Sequence, residues 1–132
     1  MKYLLDTNTC VYALKRIPSV LERMHRLTPD DLAVSSVTLA ELWFGARKSS
    51  RPPEKTRASV DAFLLPLEVL DFDAGAAEAY AALRLALERA GTPIGERDLL
   101  IAATASSRKL TVVTHNTKEF SRVPGIGLED WV

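Results

Sequence analysis

Three acidic side chains lie in apolar surroundings, where a carboxylate needs a partner. Asp6 follows directly on a short apolar run. Glu41 is the only charged residue between Ala33 and Ala46, and Asp98 opens a stretch that is apolar on nearly every side of a helix. A lone buried carboxylate is costly unless it is paired or binds a metal. Because carboxylate oxygens suit hard divalent cations, the three acids predict a cation site.

Each acid also has an explanation that involves no function. Asp6 can cap the helix that follows it, because Asp6-Thr7-Asn8 is rich in capping residues. Glu41 can complete a capping box with Thr38 or lie on a solvated face. Asp98 can be an ordinary first-turn acid that gains from the helix dipole. Position alone does not decide whether Asp6 and Asp98 are structural or functional. The apolar surroundings of Glu41 favour a functional role for that residue.

A polar loop follows the apolar run at residues 110–113. In an open parallel α/β sheet, ligands bind beyond the carboxyl ends of the strands, so we expect Thr114, His115 and Asn116 beside Asp6. Asn116 offers either an oxygen ligand or a hydrogen bond to a carboxylate. His115 is either a phosphate contact or an exposed loop side chain. Carboxylates that cluster here without a cation should have raised pKa values.

Short apolar runs alternate with segments of helical spacing. The runs predict strands at residues 3–5, 32–34, 67–70 and 110–113, with a last strand near 128–131. The spacing predicts helices at residues 8–15, 19–27, 36–49, 54–64, 73–90 and 97–108. Strands that alternate with helices indicate an α/β/α sandwich around a short parallel sheet. The length of 132 residues predicts one domain over residues 1–132.

The composition excludes several classes of protein. Lys+Arg and Asp+Glu both number 17, which argues against a binder that relies on the phosphate backbone alone. The single cysteine, Cys10, cannot form an intrachain disulfide, and its apolar neighbours predict a buried side chain. Asp6 comes too early for a signal peptide, and no apolar run approaches the ~20 residues of a membrane helix. We therefore expect a cytoplasmic protein that does not enter a membrane.

Four motifs in order along the chain resemble those of PIN domains, and specifically of the VapC toxins of bacterial toxin–antitoxin pairs. They occupy residues 4–8, 35–46, 94–103 and 113–120, followed by Val123-Pro124-Gly125 and Glu129-Asp130-Trp131. The resemblance spans essentially the whole chain. It implies that Asp6, Glu41 and Asp98 are the acidic metal ligands.

The sequence departs from the family pattern at two positions. Asn116 matches a fourth position that is an acid in many relatives, and a neutral residue there implies a lower affinity for metal or fewer ions. Glu96 follows Gly95 where a proline or a small polar residue is frequent. It is either an auxiliary ligand or an exposed first-turn acid, and we favour the second.

The resemblance also implies an activity, the hydrolysis of RNA phosphodiester bonds with Mg²⁺, or Mn²⁺ as an alternative. Asp6 and Asp98 would hold the main ion, and Glu41 would bind a second ion or orient the attacking water. Asn116 would support the site, and Thr7 and Thr114 would position phosphate oxygens. The basic stretch that contains Arg47, Lys48 and Arg51 is either a solvated surface or a patch that docks the RNA backbone.

Partners follow from the same resemblance. It implies a structured RNA substrate such as tRNA, a homodimer, and a VapB-type antitoxin that keeps the enzyme inactive. The apolar group Leu39, Leu42, Trp43 and Phe44 is a candidate groove for the antitoxin, although core packing can also use these residues. Two other interpretations stay open: a PIN-like nuclease of RNA processing or of DNA that has no antitoxin, and an RNA-binding module with a degenerate site that does not cut.

Overall fold

Five short strands form one parallel sheet in the order β3-β2-β1-β4-β5. The structure is a computed structural model that describes residues 1–132. The strands are β1 (Tyr3–Leu5), β2 (Leu32–Ser35), β3 (Glu68–Leu70), β4 (Thr111–Val113) and β5 (Gly127–Glu129). The apolar runs of the sequence therefore predicted every strand, with small differences at the ends. The longest crossover, from β3 to β4, carries two helices.

Seven helices connect or follow the strands. They are α1 (Thr7–Leu14), α2 (Pro18–His25), α3 (Ser36–Arg47), α4 (Pro53–Leu64), α5 (Ala74–Arg89), α6 (Glu96–Arg108) and α7 (Thr117–Phe120). The first six lie within two residues of the helices predicted from spacing. The sequence did not predict α7, because its single turn is too short to show a periodic stripe. No helix is both long and apolar enough to cross a membrane.

Helices cover both faces of the sheet, which confirms the predicted α/β/α sandwich. Neighbouring residues of one strand point to opposite faces, and β1 shows this directly. Leu4 packs with residues of α5 and α6, whereas Leu5 packs with residues of α1, α2 and α4. Both leucines are completely buried. Burial on both faces explains why the strands are continuous apolar runs without alternation.

Helix starts at the carboxyl edge of the sheet are fixed by polar caps. Asp6 accepts a hydrogen bond from the backbone N–H of Thr9, and Ser35 accepts one from Thr38. The parallel register places Leu5 beside both Val34 and Val113. The residues that follow these three strand positions therefore lie at the same edge of the sheet, where α1 and α3 begin.

Candidate active site

Asp6 caps α1 and also lies at the carboxyl edge of the sheet, so the capping and the functional interpretations are compatible. It is 3% exposed and accepts the N–H of Thr9 at 2.8 Å. The hydroxyl of Thr114, the residue after β4, lies beside this carboxyl and acts to lower its pKa. Asp6 thus lies between the carboxyl ends of β1 and β4, as predicted for a side chain at this edge.

Burial makes the charge of Asp6 costly. Loss of solvent raises the pKa of this carboxyl above its ordinary value, and the charge of Glu41 raises it further. Hydrogen bonds from Thr114 and Thr9 act in the opposite direction without cancelling the effect of burial. A cation near Asp6 would offset the unfavourable charge.

Glu41 projects from the middle of α3 toward Thr7. The Thr7 hydroxyl donates to Glu41 Oε1 at 2.7 Å, and Arg97 Nη1 lies 3.7 Å from Oε2. The side chain of Glu41 is 26% exposed, so it is not on a solvated face. The capping-box interpretation is wrong, because α3 begins one turn earlier with Ser35 as its cap.

Asp98 lies in the first turn of α6, next to Asn116. The amide nitrogen Nδ2 of Asn116 is 3.3 Å from Asp98 Oδ2 and 2.7 Å from Glu119 Oε2. Burial raises the pKa of Asp98 to about 6, and the charges of Glu119, Asp6 and Glu41 contribute to the rise. Asn116 therefore acts as a donor that holds a carboxylate, one of the two roles left open for it.

The three predicted acids lie at one edge of the sheet and interact through their charges. Glu41 raises the pKa of Asp6, and both raise the pKa of Asp98. They do not form a closed cage, because no three acidic, histidine or cysteine side chains are placed to hold one ion together. The binding of one ion by all three carboxylates therefore stays a prediction, and the site is open.

An open set of oxygen donors still fits a hard divalent cation. Mg²⁺ keeps several waters and is usually bound through one or two carboxylates. Asp6 and Asp98 provide carboxylates whose raised pKa values a positive charge would lower. The donor set contains no cysteine that could take part, because Cys10 is completely buried, as predicted.

The two threonines predicted to touch phosphate contact two of the predicted acids instead. Thr114 is completely buried, and its hydroxyl contacts Asp6 and the backbone N–H of Asn116. Thr7 donates to Glu41 and lies 3.1 Å from the hydroxyl of Thr38. Thr114 has no exposed surface for RNA, whereas Thr7 lines an open depression.

Two further polar residues near the site have partners of their own. His115 Nδ1 lies 2.9 Å from Asp130 Oδ2, and about half of its side chain is exposed. Glu96 is exposed and accepts a hydrogen bond from the Tyr80 hydroxyl at 2.6 Å. Glu96 is therefore the exposed first-turn acid that we favoured.

Sequence reasoning missed two residues at this edge, Glu119 and Arg97. Glu119 accepts hydrogen bonds from Asn116 and from the backbone N–H of Gly95, and its charge raises the pKa of Asp98. Arg97 lines the same depression as Glu41. The one available signal was the spacing of Glu119, which follows Asn116 by three residues and so can face it on a helical turn.

The predicted basic stretch does not act as one unit. Arg47, Lys48 and Arg51 are all exposed. Of these, Lys48 lines the depression that contains Glu41, whereas Arg47 and Arg51 line none of the depressions at the site.

The predicted apolar groove on α3 is largely core. Leu42 is buried, and Leu39 and Trp43 pack against the core cluster that contains Leu5. Phe44 faces the other way and is 62% exposed. The alternative that core packing uses most of this group is therefore the correct one.

Comparison with known proteins places these features in a family. The family model described as PIN domain matches residues 3–126. The chain is 46% identical over 131 residues to the tRNA(fMet)-specific endonuclease VapC of Salmonella typhimurium, covering 99% of this chain and 98% of that protein. It is 44% identical over 133 residues to Ribonuclease VapC2 of Rickettsia felis, covering 99% of this chain and 98% of that protein.

Solved structures agree with the sequence matches. The crystal structure of DNA-bound VapBC from Salmonella typhimurium contains a chain with a TM-score of 0.94 and 47% identity, and the match covers 100% of this chain and 99% of that chain. A chain of VapBC2 from Rickettsia felis, bound to a DNA fragment from their promoter, gives a TM-score of 0.92 and 42% identity with full coverage of both chains.

An α/β/α sandwich with acids at the carboxyl edge of a parallel sheet thus coincides with a known class of domain. The chain belongs to the PIN-domain family and, within it, to the VapC ribonucleases. The resemblance seen in the four sequence motifs is therefore confirmed.

Proposed function

We propose that this chain is an Mg²⁺-dependent endoribonuclease toxin that hydrolyses phosphodiester bonds of tRNA, with Mn²⁺ as an alternative ion. The observation that carries the proposal is the approach of Asp6, Glu41 and Asp98, from three separate elements, to one edge of the sheet. The charges of neighbouring acids contribute to the raised pKa values of Asp6 and Asp98, which supports a site built for a cation. The relatives named as ribonuclease and as tRNA(fMet)-specific endonuclease support the choice of substrate.

The three acids would have different roles because their surroundings differ. Asp6 and Asp98, whose pKa values are raised, would hold the main ion. A bound divalent ion polarises a phosphate and lowers the pKa of a water molecule, which is the chemistry that hydrolysis needs. Glu41 would orient the attacking water or contact a second ion, since it is more exposed than Asp6 and faces an open depression.

Neutral hydrogen-bonding groups keep each acid in place. Thr7 donates to Glu41, Asn116 donates to Asp98, and the hydroxyl of Thr114 lies beside Asp6. A carboxylate held in this way loses little freedom when a ligand binds, which favours a fixed geometry at the site. We therefore assign positioning roles to Thr7, Thr114 and Asn116.

Positive side chains near the acids are suited to the RNA backbone. Arg97 and Lys48 line the depression next to Glu41, so both can approach a phosphate close to the cut. Arg47 and Arg51 are exposed but line neither depression, so they would contact phosphates away from the cut. The formal net charge of zero fits an enzyme that places a few cations locally.

The proposed partners are a VapB-type antitoxin and a second copy of this chain, in the cytoplasm. The crystal structures of relatives named VapBC support the antitoxin. Leu39, Leu42 and Trp43 of α3 belong to the core, so they are not available to the antitoxin. We place the apolar contact of the antitoxin in a depression of about 450 Å³ between α2 and α4. Seven of the ten side chains that line it are hydrophobic, among them Leu21, Met24 and Phe63.

Expression of the chain without any partner, followed by sequencing of cellular RNA ends, tests this function. We expect new ends in tRNA that appear within minutes of induction and are absent for the Asp98→Asn variant. Co-expression of an antitoxin should suppress them. Ends confined to ribosomal or messenger RNA would overturn the tRNA assignment, and a lack of new ends with soluble, folded protein would overturn the ribonuclease assignment.

A further inference from the structure

Phe44 is an exposed aromatic side chain beside the acidic edge of the sheet. It is 62% exposed, and the other large hydrophobic side chains that are exposed include no aromatic one. A single exposed hydrophobic residue is ordinary on a protein surface and needs no explanation by itself. The position of Phe44 is the informative feature, because it lies one helical turn from Glu41 on the same side of α3.

Two depressions join at Glu41. One, of about 490 Å³, is lined by Glu41 and the residues from Gly95 to Asp98. The other, of about 360 Å³, contains Phe44, Lys48, Gly45 and Thr7. Glu41 and Arg97 line both, so an acidic half and an aromatic, basic half form one continuous groove. Phe44 therefore lies in the same groove as Glu41 and Asp98.

Gly45 keeps the space beside Phe44 open. Glycine within a helix is less favourable than alanine, and Gly45 lies inside α3. A Cβ built at Gly45 would meet no atom within 4 Å, so packing inside the chain does not require a glycine here. Close approach of a ligand to the surface of α3 would require it.

The charges around Phe44 favour a nucleotide as that ligand. The ammonium of Lys48 lies 5.0 Å from the centroid of the Phe44 ring, and Arg97 lies across the same depression. A flat apolar ring with Lys48 over one face, in a depression that Arg97 also lines, matches a base next to a phosphate. A protein interface would also cover the ring, but it would not need these cations beside the hydrolytic acids.

We propose that Phe44 stacks against a nucleobase of the RNA substrate, in a subsite that adjoins the scissile phosphate. The proposal rests on the proposed ribonuclease function and deepens it. A base can reach the ring only if it is unstacked from its neighbours, so the substrate must present an unpaired nucleotide next to the cut. Lys48 would contact the phosphate of that nucleotide. The preferred substrate is therefore a single-stranded loop or end, and not the interior of a duplex.

Three substitutions at Phe44 separate stacking from plain hydrophobic contact. Phe44→Leu keeps an apolar side chain and removes the aromatic face, Phe44→Tyr keeps that face, and Phe44→Ala removes both. Cleavage of an RNA hairpin with an unpaired loop should show KM raised about tenfold for the Leu and Ala variants. We expect kcat within about threefold of wild type, since the ring does not touch the reacting atoms. Phe44→Tyr should cleave like wild type, and so should the control Leu65→Ala at an exposed site elsewhere.

A binding measurement makes the stacking test independent of cleavage. Loop RNA that carries the fluorescent base 2-aminopurine should be quenched on binding to the wild-type protein and to Phe44→Tyr, but not to Phe44→Leu. If the wild type is active and Phe44→Leu shows the same KM and the same quenching, the stacking proposal is overturned and the ribonuclease function is not. A wild-type protein that quenches the base without cutting any RNA would support stacking and overturn the ribonuclease function.

The rival occupant of this surface is a second copy of the chain. Light scattering of each variant at the assay concentration decides between the two. Unchanged molar mass with raised KM supports the RNA subsite. Loss of activity in Phe44→Leu and Phe44→Ala together with a fall in molar mass would overturn the stacking and assign Phe44 to an interface between copies.

Discussion

Asn116 donates a hydrogen bond of 3.3 Å from Nδ2 to Oδ2 of Asp98. The same nitrogen lies 2.7 Å from Oε2 of Glu119, so a neutral amide separates two carboxylates. It lowers the pKa of both carboxyls and thus offsets part of their repulsion. The neutral residue at this position therefore stabilises the metal-free site.

Asn116→Asp should make the protein more dependent on metal. A third carboxylate beside Asp98 and Glu119 adds repulsion, so we expect a loss of roughly 1 kcal/mol in the free energy of unfolding without metal. Mg²⁺ should restore more stability to this variant than to wild type. Urea denaturation with EDTA and with Mg²⁺ measures both effects. Ser59→Asp on the exposed surface of α4 is the control, and an identical response of the two variants would contradict the role of Asn116.

The stability of the metal-free protein should fall as pH rises through the titration of Asp98. Burial raises the pKa of Asp98 from 3.8 to about 6. Between these values the folded protein holds a proton that the unfolded chain has lost, so stability is lost as pH rises and stays low above about pH 6. The predicted cost at pH 7 is about 1 kcal/mol, because solvent screens this half-exposed carboxyl.

Asp98→Asn tests that cost. The variant should exceed wild type in the free energy of unfolding at pH 7 and match it at pH 4, where the wild-type carboxyl is already protonated in the folded protein. Denaturation in EDTA at the two pH values gives the difference directly. A gain of the same size at both pH values would mean that the charge of Asp98 is not the cause.

Thr7→Val should slow cleavage without unfolding the protein. The change removes the hydroxyl that donates to Glu41 at 2.7 Å and keeps a side chain of similar shape. A hydrogen bond to a charged group is worth about 1.5–3 kcal/mol, so we expect kcat to fall by about tenfold or more if Glu41 is no longer held. Thr7→Ser keeps the hydroxyl and should cleave like wild type. Equal kcat for Val and wild type would show that Thr7 does not position Glu41.

Met24→Glu should separate antitoxin binding from catalysis. Met24 lines the apolar depression between α2 and α4 and is partly exposed, so a carboxylate there would oppose an apolar partner. We expect RNA cleavage to continue while the affinity for the antitoxin falls by about 100-fold or more. Calorimetry of antitoxin binding and a cleavage assay measure the two properties. Ala82→Glu on the exposed side of α5 is the control, and unchanged affinity of Met24→Glu would place the antitoxin elsewhere.

Local pattern predicted the five strands and the first six helices and singled out the three acids as candidates, because both depend on the contrast between apolar and charged positions. Glu41 stood out as the only charged residue between Ala33 and Ala46, and the structure gives it a hydroxyl partner from another helix. Asp6 could not be decided from its position, since the same residue caps α1 and lies at the site.

What the sequence did not predict depends on contacts between distant residues. Glu119 reaches Gly95 from 24 positions away, a pairing that no local pattern encodes. The side of α3 on which Phe44 lies could have been predicted from helical spacing. Leu39, Leu42 and Trp43 follow helical spacing and share the buried side of α3, which leaves Phe44 on the opposite side with Glu41.

Cleavage by isosteric variants of the three acids tests the central claim most directly. Asp6→Asn, Glu41→Gln and Asp98→Asn keep the size of each side chain, and Asn can still cap α1. Asp73→Asn is the matched control, because Asp73 caps α5 as Asp6 caps α1 but lies outside the site. With purified protein, Mg²⁺ and tRNA, we expect each of the three variants to lose about 100-fold or more in rate while Asp73→Asn cuts like wild type. Cleavage at the wild-type rate by all three variants would contradict a metal-dependent site at these acids.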